Sequence, residues 1–180
     1  MKVWILDCDV DSFENLIICD ESCNNLLKTF NGEEKKDEWT PISVRKMYGD
    51  REFSNTPGLA PHIPVFDTKA VSELSCILKN EVEILPLNFE NGTFYAVNVI
   101  DVLDCIDYKK SDYKTFRDGK RIMRFTKYSF IESIIKNHNI FKIKDEPLKR
   151  PFVSDEFKNI VQSSGLIGFK FELAWESGNN

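Results

Sequence analysis

PFVSDEFKNIVQSSGLIGFKFELAW, residues 151–175, spells out a helix and a strand in its residue types. Pro151-Phe152-Val153 reads as a short extended entry. Ser154 can accept a hydrogen bond from a free N–H of a first helical turn, and Asp155 and Glu156 follow where the helix dipole favours negative charge. Phe157, Ile160 and Val161 recur at i, i+3 and i+4, which lays three apolar groups on one helical face. Gly165 suits a left-handed stop. From Ile167 the period falls to two: Ile167, Phe169, Phe171, Leu173 and Trp175 face one way, and Gly168, Lys170, Glu172 and Ala174 the other. The spacing predicts a strand with one buried face.

The same grammar occurs earlier, in Pro64–Leu87. Asp67 caps a helix carrying Ala70, Val71, Leu74, Ile77 and Leu78, and a strand from Val82 to Leu87 follows. From Pro64 to Pro151 the period is roughly 87 residues, far above the 20 to 50 of solenoid repeats. Two helix-strand units on one sheet are one reading, and a shared supersecondary habit is the other. Leu85–Glu90, Asn91-Gly92 and Thr93–Val99 read as strand, type I′ turn and strand, which makes an antiparallel hairpin.

Lys2–Leu6 reads as an opening strand, Phe13–Asp20 as a second and Ile42–Met47 as a third. Between them Leu26, Leu27 and Phe30 lead to an Asn31-Gly32 turn and a charge-dense loop, Glu33–Glu38, ahead of Trp39. Asn55-Thr56-Pro57-Gly58 is a loop by composition. Asp101-Val102-Leu103-Asp104 suggests a short helical turn, Asp118-Gly119 a turn before a strand at Arg121–Phe125, and Ser129-Phe130-Ile131-Glu132 a capping box. Ile140–Ile143 reads as a brief strand. These elements predict an α+β single domain over residues 1–180, mostly antiparallel sheet with hairpins and two or three short helices. A subdivision into a strand-rich part, 1–62, and a helix-strand-hairpin part, 63–180, is also compatible.

At 180 residues and 42% hydrophobic content, the chain can bury about 70% of its unfolded surface without disulfides or metal to staple it. Lys2 to Leu6 is far too short an apolar run for a leader peptide, and no run reaches the roughly 20 residues that span a bilayer. The expectation is a cytoplasmic protein without a membrane partner. Cys8, Cys19, Cys23, Cys76 and Cys105 are odd in number with no CxxC spacing, which points to reduced thiols, most of them small core residues. Charge is polarised. Residues 1–108 carry 9 basic and 20 acidic side chains, whereas residues 109–150 carry 13 and 5.

Three stretches invite chemistry. A strand ending in Asp7-Cys8-Asp9 resembles the start of magnesium-dependent haloacid-dehalogenase-type phosphatases, in which the first Asp attacks phosphorus and the second handles a proton. The hairpin-like elements that follow do not supply the βαβ architecture such an enzyme needs. Asp7, Asp9 and Asp11 also have the alternation of a calcium loop, but Ser12 stands at its glycine position and Ile18 at its bidentate glutamate. The basic segment Lys109–Lys127, with Tyr108, Tyr113, Phe116 and Tyr128, could meet phosphates and stack bases, yet the acidic chain as a whole argues against nucleic acid as partner. His62 reads as structural or solvent-facing and His138 as a helix-end residue. No metal ligand set, cofactor loop or nucleophile motif stands out.

Several stretches together resemble the bacterial immunity proteins encoded beside polymorphic and contact-dependent toxins, a family long catalogued as a domain of unknown function. They are Ile63–Asp67 with its helix, Ile84–Leu87, Val97-Asn98-Val99 with Asp101–Asp104, and Phe152–Phe157 through Gly165-Leu166 and Gly168–Phe171. The resemblance implies a non-enzymatic cytoplasmic protein that binds one toxin, at its C-terminal toxin domain, with no cofactor and no catalytic residues. An acidic surface can steer to the basic cleft of such a toxin. The candidate contacts are Glu33, Glu34, Asp37 and Glu38 around Trp39, together with Asp7, Asp9 and Asp11.

Overall fold

In the computed structural model, which describes residues 1–119 and 121–178, the chain opens with β1 (Lys2–Cys8) and β2 (Leu16–Ile18), followed by a helical turn, α1 (Asn24–Leu27), and β3 (Val44–Lys46). Next come β4 (Val65–Asp67), α2 (Thr68–Leu74), β5 (Val82–Pro86), β6 (Phe94–Val99) and the short β7 (Val102–Leu103). A protruding hairpin, β8 (Asp112–Thr115) and β9 (Ile122–Lys127), precedes α3 (Glu132–Ile135) and β10 (Ile140–Ile143). The chain closes with β11 (Phe152–Ser154), α4 (Asp155–Ser163) and β12 (Phe169–Glu176). The fold is α+β and mostly antiparallel. A five-stranded sheet runs β12-β1-β11-β10-β7, a three-stranded sheet β4-β6-β5, and two ribbons pair β2 with β3 and β8 with β9.

The sequence repeat is a repeat of topology. β4, α2 and β5 form a strand-helix-strand unit whose two strands flank β6, each antiparallel to it. β11, α4 and β12 form another, and their strands flank β1 in the same way. Each helix starts at the matching residue: Asp67 accepts from Ala70 N at 2.8 Å and Ser154 from Phe157 N at 3.1 Å. The units occupy two sheets rather than one, and what they share is a core. Phe66, Ala70 and Leu74 of the first unit meet Val153, Phe157 and Val161 of the second in one cluster, closed by Leu6, Val97, Val99 and Ile140. Behind the three-stranded sheet a second cluster gathers Leu16, Phe30, Val65, Leu85 and Phe94. Behind the five-stranded sheet a third gathers Val3, Phe125, Phe130, Phe141 and Phe152.

Both faces of the five-stranded sheet are therefore buried, and β12 serves both. Phe169 and Phe171 pack into the shared cluster, as their alternation predicts. Trp175 does not follow them. Trp4 opposes Leu173 whereas Val3 opposes Trp175, so Ala174 is an extra residue, a bulge that inverts the alternation. Trp175 accordingly joins Val3 in the third cluster, its ring 6.0 Å from Phe130, while Leu173 is left 46% exposed at the sheet edge. Gly165 does end α4 in the left-handed region, at φ 61°.

Three local expectations give way to tertiary pairing. Asn91-Gly92 makes no type I′ turn, because neither residue has positive φ. The β5–β6 ladder ends at Leu87 N–Phe94 O, after which Asn88 leaves to bond Ile42 and Val44 and the loop carries Phe89 onto Phe53 and Phe94. Val102-Leu103 is a strand parallel to β10 rather than a helical turn. Ser129 caps nothing: its N–H and C=O both bond the Ser111 hydroxyl, and the single turn of α3 begins at Ile131 without a side-chain cap. Of the cysteines only Cys105 is buried; Cys8 and Cys23 are half-buried, and Cys19 and Cys76 are exposed. Phe157 lies at the centre of the shared cluster with no solvent exposure, so Phe157→Ala should cost about 3–5 kcal/mol in urea unfolding. Leu173→Ala should cost less than about 1 kcal/mol, since an exposed side chain leaves no cavity.

Candidate functional site

The charge-dense loop after α1 presents exposed carboxylates on a backbone that side chains of other segments hold. Its chain enters at Phe30, whose ring is fully buried and whose carbonyl accepts from Lys142 Nζ at 2.5 Å. Gly32 follows at φ 109°, so close to Val102 that a Cβ would stand 2.3 Å from that side chain. The Glu33 carbonyl accepts from Asn98 Nδ2 at 2.8 Å. The Glu83 carboxylate then takes the backbone N–H groups of Lys35 and Lys36, at 2.8 and 3.0 Å, and a second bond from Asn98 Nδ2 at 2.8 Å. Burial alone would push Glu83 up, but these bonds, from Asn98 first and then the two amides, hold its carboxyl below the usual range. The loop leaves through Trp39, whose indole N–H donates to Pro86 O at 2.9 Å and whose ring meets Phe30 edge-on at 5.9 Å.

Trp39 therefore roots the loop rather than standing free on its surface. Lys35 also turns inward, its side chain only 10% exposed and its ammonium 5.6 Å from the centre of the Phe30 ring. Glu33, Glu34, Asp37 and Glu38 are left on the outside, all four exposed. Few backbone bonds hold a loop of this kind by themselves, so the fixed geometry comes from side chains of β5, β6 and β10. One of them is unusual. Lys142 is 1% exposed with no carboxylate within ion-pair distance among the described residues, and burial lowers its ammonium pKa to about 8.

Asp7, Asp9 and Asp11 lie at the far end of β1 and are arranged differently. Asp7 pairs with Arg150 at 2.9 Å and Asp9 with Lys170 at 2.8 Å. The bond from Lys170, with help from Ser12, holds the Asp9 carboxyl down at about 2. Asp11 is exposed, and its carbonyl accepts from Arg51 at 2.9 Å. β1 runs antiparallel to both its neighbours, which is not the parallel sheet that a phosphatase built on Asp7 and Asp9 would use. Glu33–Trp39 is thus fastened to the second cluster, whereas in Asp7–Asp11 the carboxylates of Asp7 and Asp9 are tied to cations.

The basic segment forms the β8–β9 hairpin, with Lys120 outside the described residues. Tyr113, Phe116 and Met123 are exposed on it, and Lys114 stands directly opposite Arg124. Arg121 pairs with Asp118 at 2.7 Å and covers the Phe116 ring. His62 is structural, bonded to Leu27 O at 2.8 Å. His138 is more than a helix-end residue. Its Nδ1 lies 2.6 Å from Asp101 Oδ2 and 3.9 Å from Glu81 Oε1. Sequence reasoning missed this trio because its members lie 20 and 37 residues apart, and the only local signal was a lone histidine past a short helix.

The model of an immunity protein family, Imm11, matches residues 82–175, just over half of the chain. No curated protein matches it. The matched span runs from β5 into β12. It includes Glu83, Asn98 and Lys142, which hold the acidic loop, but neither the loop itself nor Asp7–Asp11. No helix among the described residues is long and apolar enough to cross a membrane.

Lys142 supplies a direct check on how the loop is rooted. A lysine that titrates near 8 when folded and near 10.5 when unfolded binds fewer protons in the folded state between those values. Stability must then rise with pH across that window. Relative to Lys142→Met, the wild type should gain on the order of 3 kcal/mol between pH 8 and pH 10.5 in denaturant titrations. A flat difference would mean that the ammonium is solvated.

Proposed function

The chain belongs to the Imm11 immunity protein family, and from that premise we propose that it binds a cognate toxin through the Glu33–Trp39 loop and neutralises it. It does so in the cytoplasm and without catalysing a reaction, and its target is the C-terminal toxin domain of the partner protein. Family membership carries the function. The observation that favours this surface is the presentation of four exposed carboxylates on a loop whose backbone is bonded by Glu83, Asn98 and Lys142. A loop fixed before binding loses little conformational entropy on docking, so its contacts convert into affinity more fully.

The chemistry of the match is electrostatic. Toxins that act on polyanions carry basic clefts, and an acidic surface finds such a cleft quickly and can fill it. Neutralisation in the producing cell calls for nanomolar binding, about −12 kcal/mol. A few central contacts would carry most of it. Asp7, Asp9 and Asp11 are a further contact on the same reading, with Asp7 and Asp9 needing to exchange Arg150 and Lys170 for a partner's cations.

Replacing Glu33, Glu34, Asp37 and Glu38 together by lysine should weaken toxin binding by more than about 2 kcal/mol, roughly thirtyfold. Thermal melting should stay close to wild type, since all four side chains are exposed. Calorimetry on the variant and the wild type reads both quantities, and unchanged affinity would remove the loop from the interface.

A further inference from the structure

We propose that Glu81, Asp101 and His138 form a binding site for a divalent transition-metal ion, Zn2+ foremost. The three ligand atoms, one from each side chain, lie within 4.8 Å of one another. They come from three segments: Glu81 just before β5, Asp101 just after β6, and His138 just before β10. The site therefore lies at the seam between the two sheets. The backbone holds these segments together, because Ile100 and Asp101 both donate to the Glu81 carbonyl, at 3.0 and 3.3 Å, and Lys142 donates to the Asp101 carbonyl at 2.8 Å.

Two features point to a cation. The first is charge. Two carboxylates converge with side-chain exposures of only 11% and 18%, and no Lys or Arg among the described residues pairs with either. An imidazolium offsets one of them, whereas a divalent ion offsets both. Burial raises the Glu81 pKa, and the Asp101 charge adds to that, even though backbone N–H bonds work against it. The second is support and access. Glu81 is oriented from outside the trio by the N–H groups of Asn139 and Ile140, at 3.0 and 2.9 Å, and Asn139 is itself held by Ser154 Oγ at 2.7 Å. Hydrogen bonds that orient a carboxylate in this way are the usual outer support of a metal ligand. His138 is 29% exposed and lines an open cleft of about 480 Å³, so its ring is open to an ion and to the water that would complete the coordination.

The donor set selects the ion. One imidazole nitrogen and two carboxylate oxygens suit Zn2+, which accepts low coordination numbers, and do not suit Ca2+ or Mg2+, which want six or more oxygens. Ligand atoms about 2.0–2.2 Å from a tetrahedral Zn2+ stand roughly 3.3–3.5 Å apart. The His138–Asp101 separation of 2.6 Å would widen and the His138–Glu81 separation of 3.9 Å would narrow, each by less than about 1 Å. Binding through Nδ1 requires that nitrogen to give up any hydrogen it shares with Asp101, so the neutral ring carries its one N–H on Nε2.

The test uses the whole chain and Zn2+ alone, and it does not depend on the toxin. At a hundredfold excess over its dissociation constant, Zn2+ should raise the wild-type melting temperature by on the order of 5–10 °C. Asp101→Asn can keep a hydrogen bond to His138 and leaves all five thiols in place. It should lower Zn2+ affinity at least about tenfold by calorimetry, and His138→Gln should do the same. With Co2+ as probe, the visible spectrum should show the bands of a low-coordinate site that both variants lose. No response in the wild type would overturn the proposal. So would a response that survives in either variant, because the ion would then sit on the cysteines or elsewhere.

Discussion

Phe66 and Phe157, both fully buried with ring centroids 6.4 Å apart, meet where the two strand-helix-strand units share their core. Neither unit can bury its helix alone. A helix of seven or nine residues gains little from its own hydrogen bonds in water, and each sheet has a second face to cover. Placing α2 and α4 against one cluster solves both problems, and it commits β1 and β6 to lie between the strands of each unit. The remaining clusters then form on the outer faces of the two sheets, the second under the acidic loop and the third under the basic hairpin. The charge polarity of the chain thus becomes a polarity of the molecule.

What the sequence made legible was what adjacent residues decide. Ser154 and Asp67 cap helices, Gly165 stops one, and the alternation through Phe169 and Phe171 marks a strand. These depend on side chains reaching their own backbone or on one buried face. Legibility ended where a distant segment competed. Ala174 is an ordinary alternation residue until β1 pairs beside it and a bulge turns Trp175 to the other face. Asn91-Gly92 would favour a tight turn, but Asn88 has already left the ladder for Ile42 and Val44. Val102-Leu103, too short to declare a period, becomes a strand because β10 offers it partners.

The candidate surface divides in the same way. That Glu33, Glu34, Asp37 and Glu38 would be solvated follows from their charge. That they would be held in place could not be read, since the groups that hold them, Glu83, Asn98 and Lys142, stand about 50 to 110 residues further on. The cost of that arrangement is visible. Asn98 gives both amide hydrogens to the loop and Glu83 and leaves its own buried Oδ1 without a partner among the described residues, and Lys142 is buried as a cation beneath it. An amide oxygen and an ammonium buried without full partners cost stability, and the return visible in the structure is the fixed backbone of the loop.

Protection by binding a toxin is tested most directly by a measurement that joins capture to protection. Tagged protein is purified from its own cells, the partner that elutes in stoichiometric amount is identified by mass spectrometry, and the partner's C-terminal domain is expressed with and without this chain. The expected result is a domain that stops growth alone and is harmless in the presence of the wild-type protein. A stoichiometric partner that is not toxic, or a toxicity that this protein leaves unchanged, would contradict it.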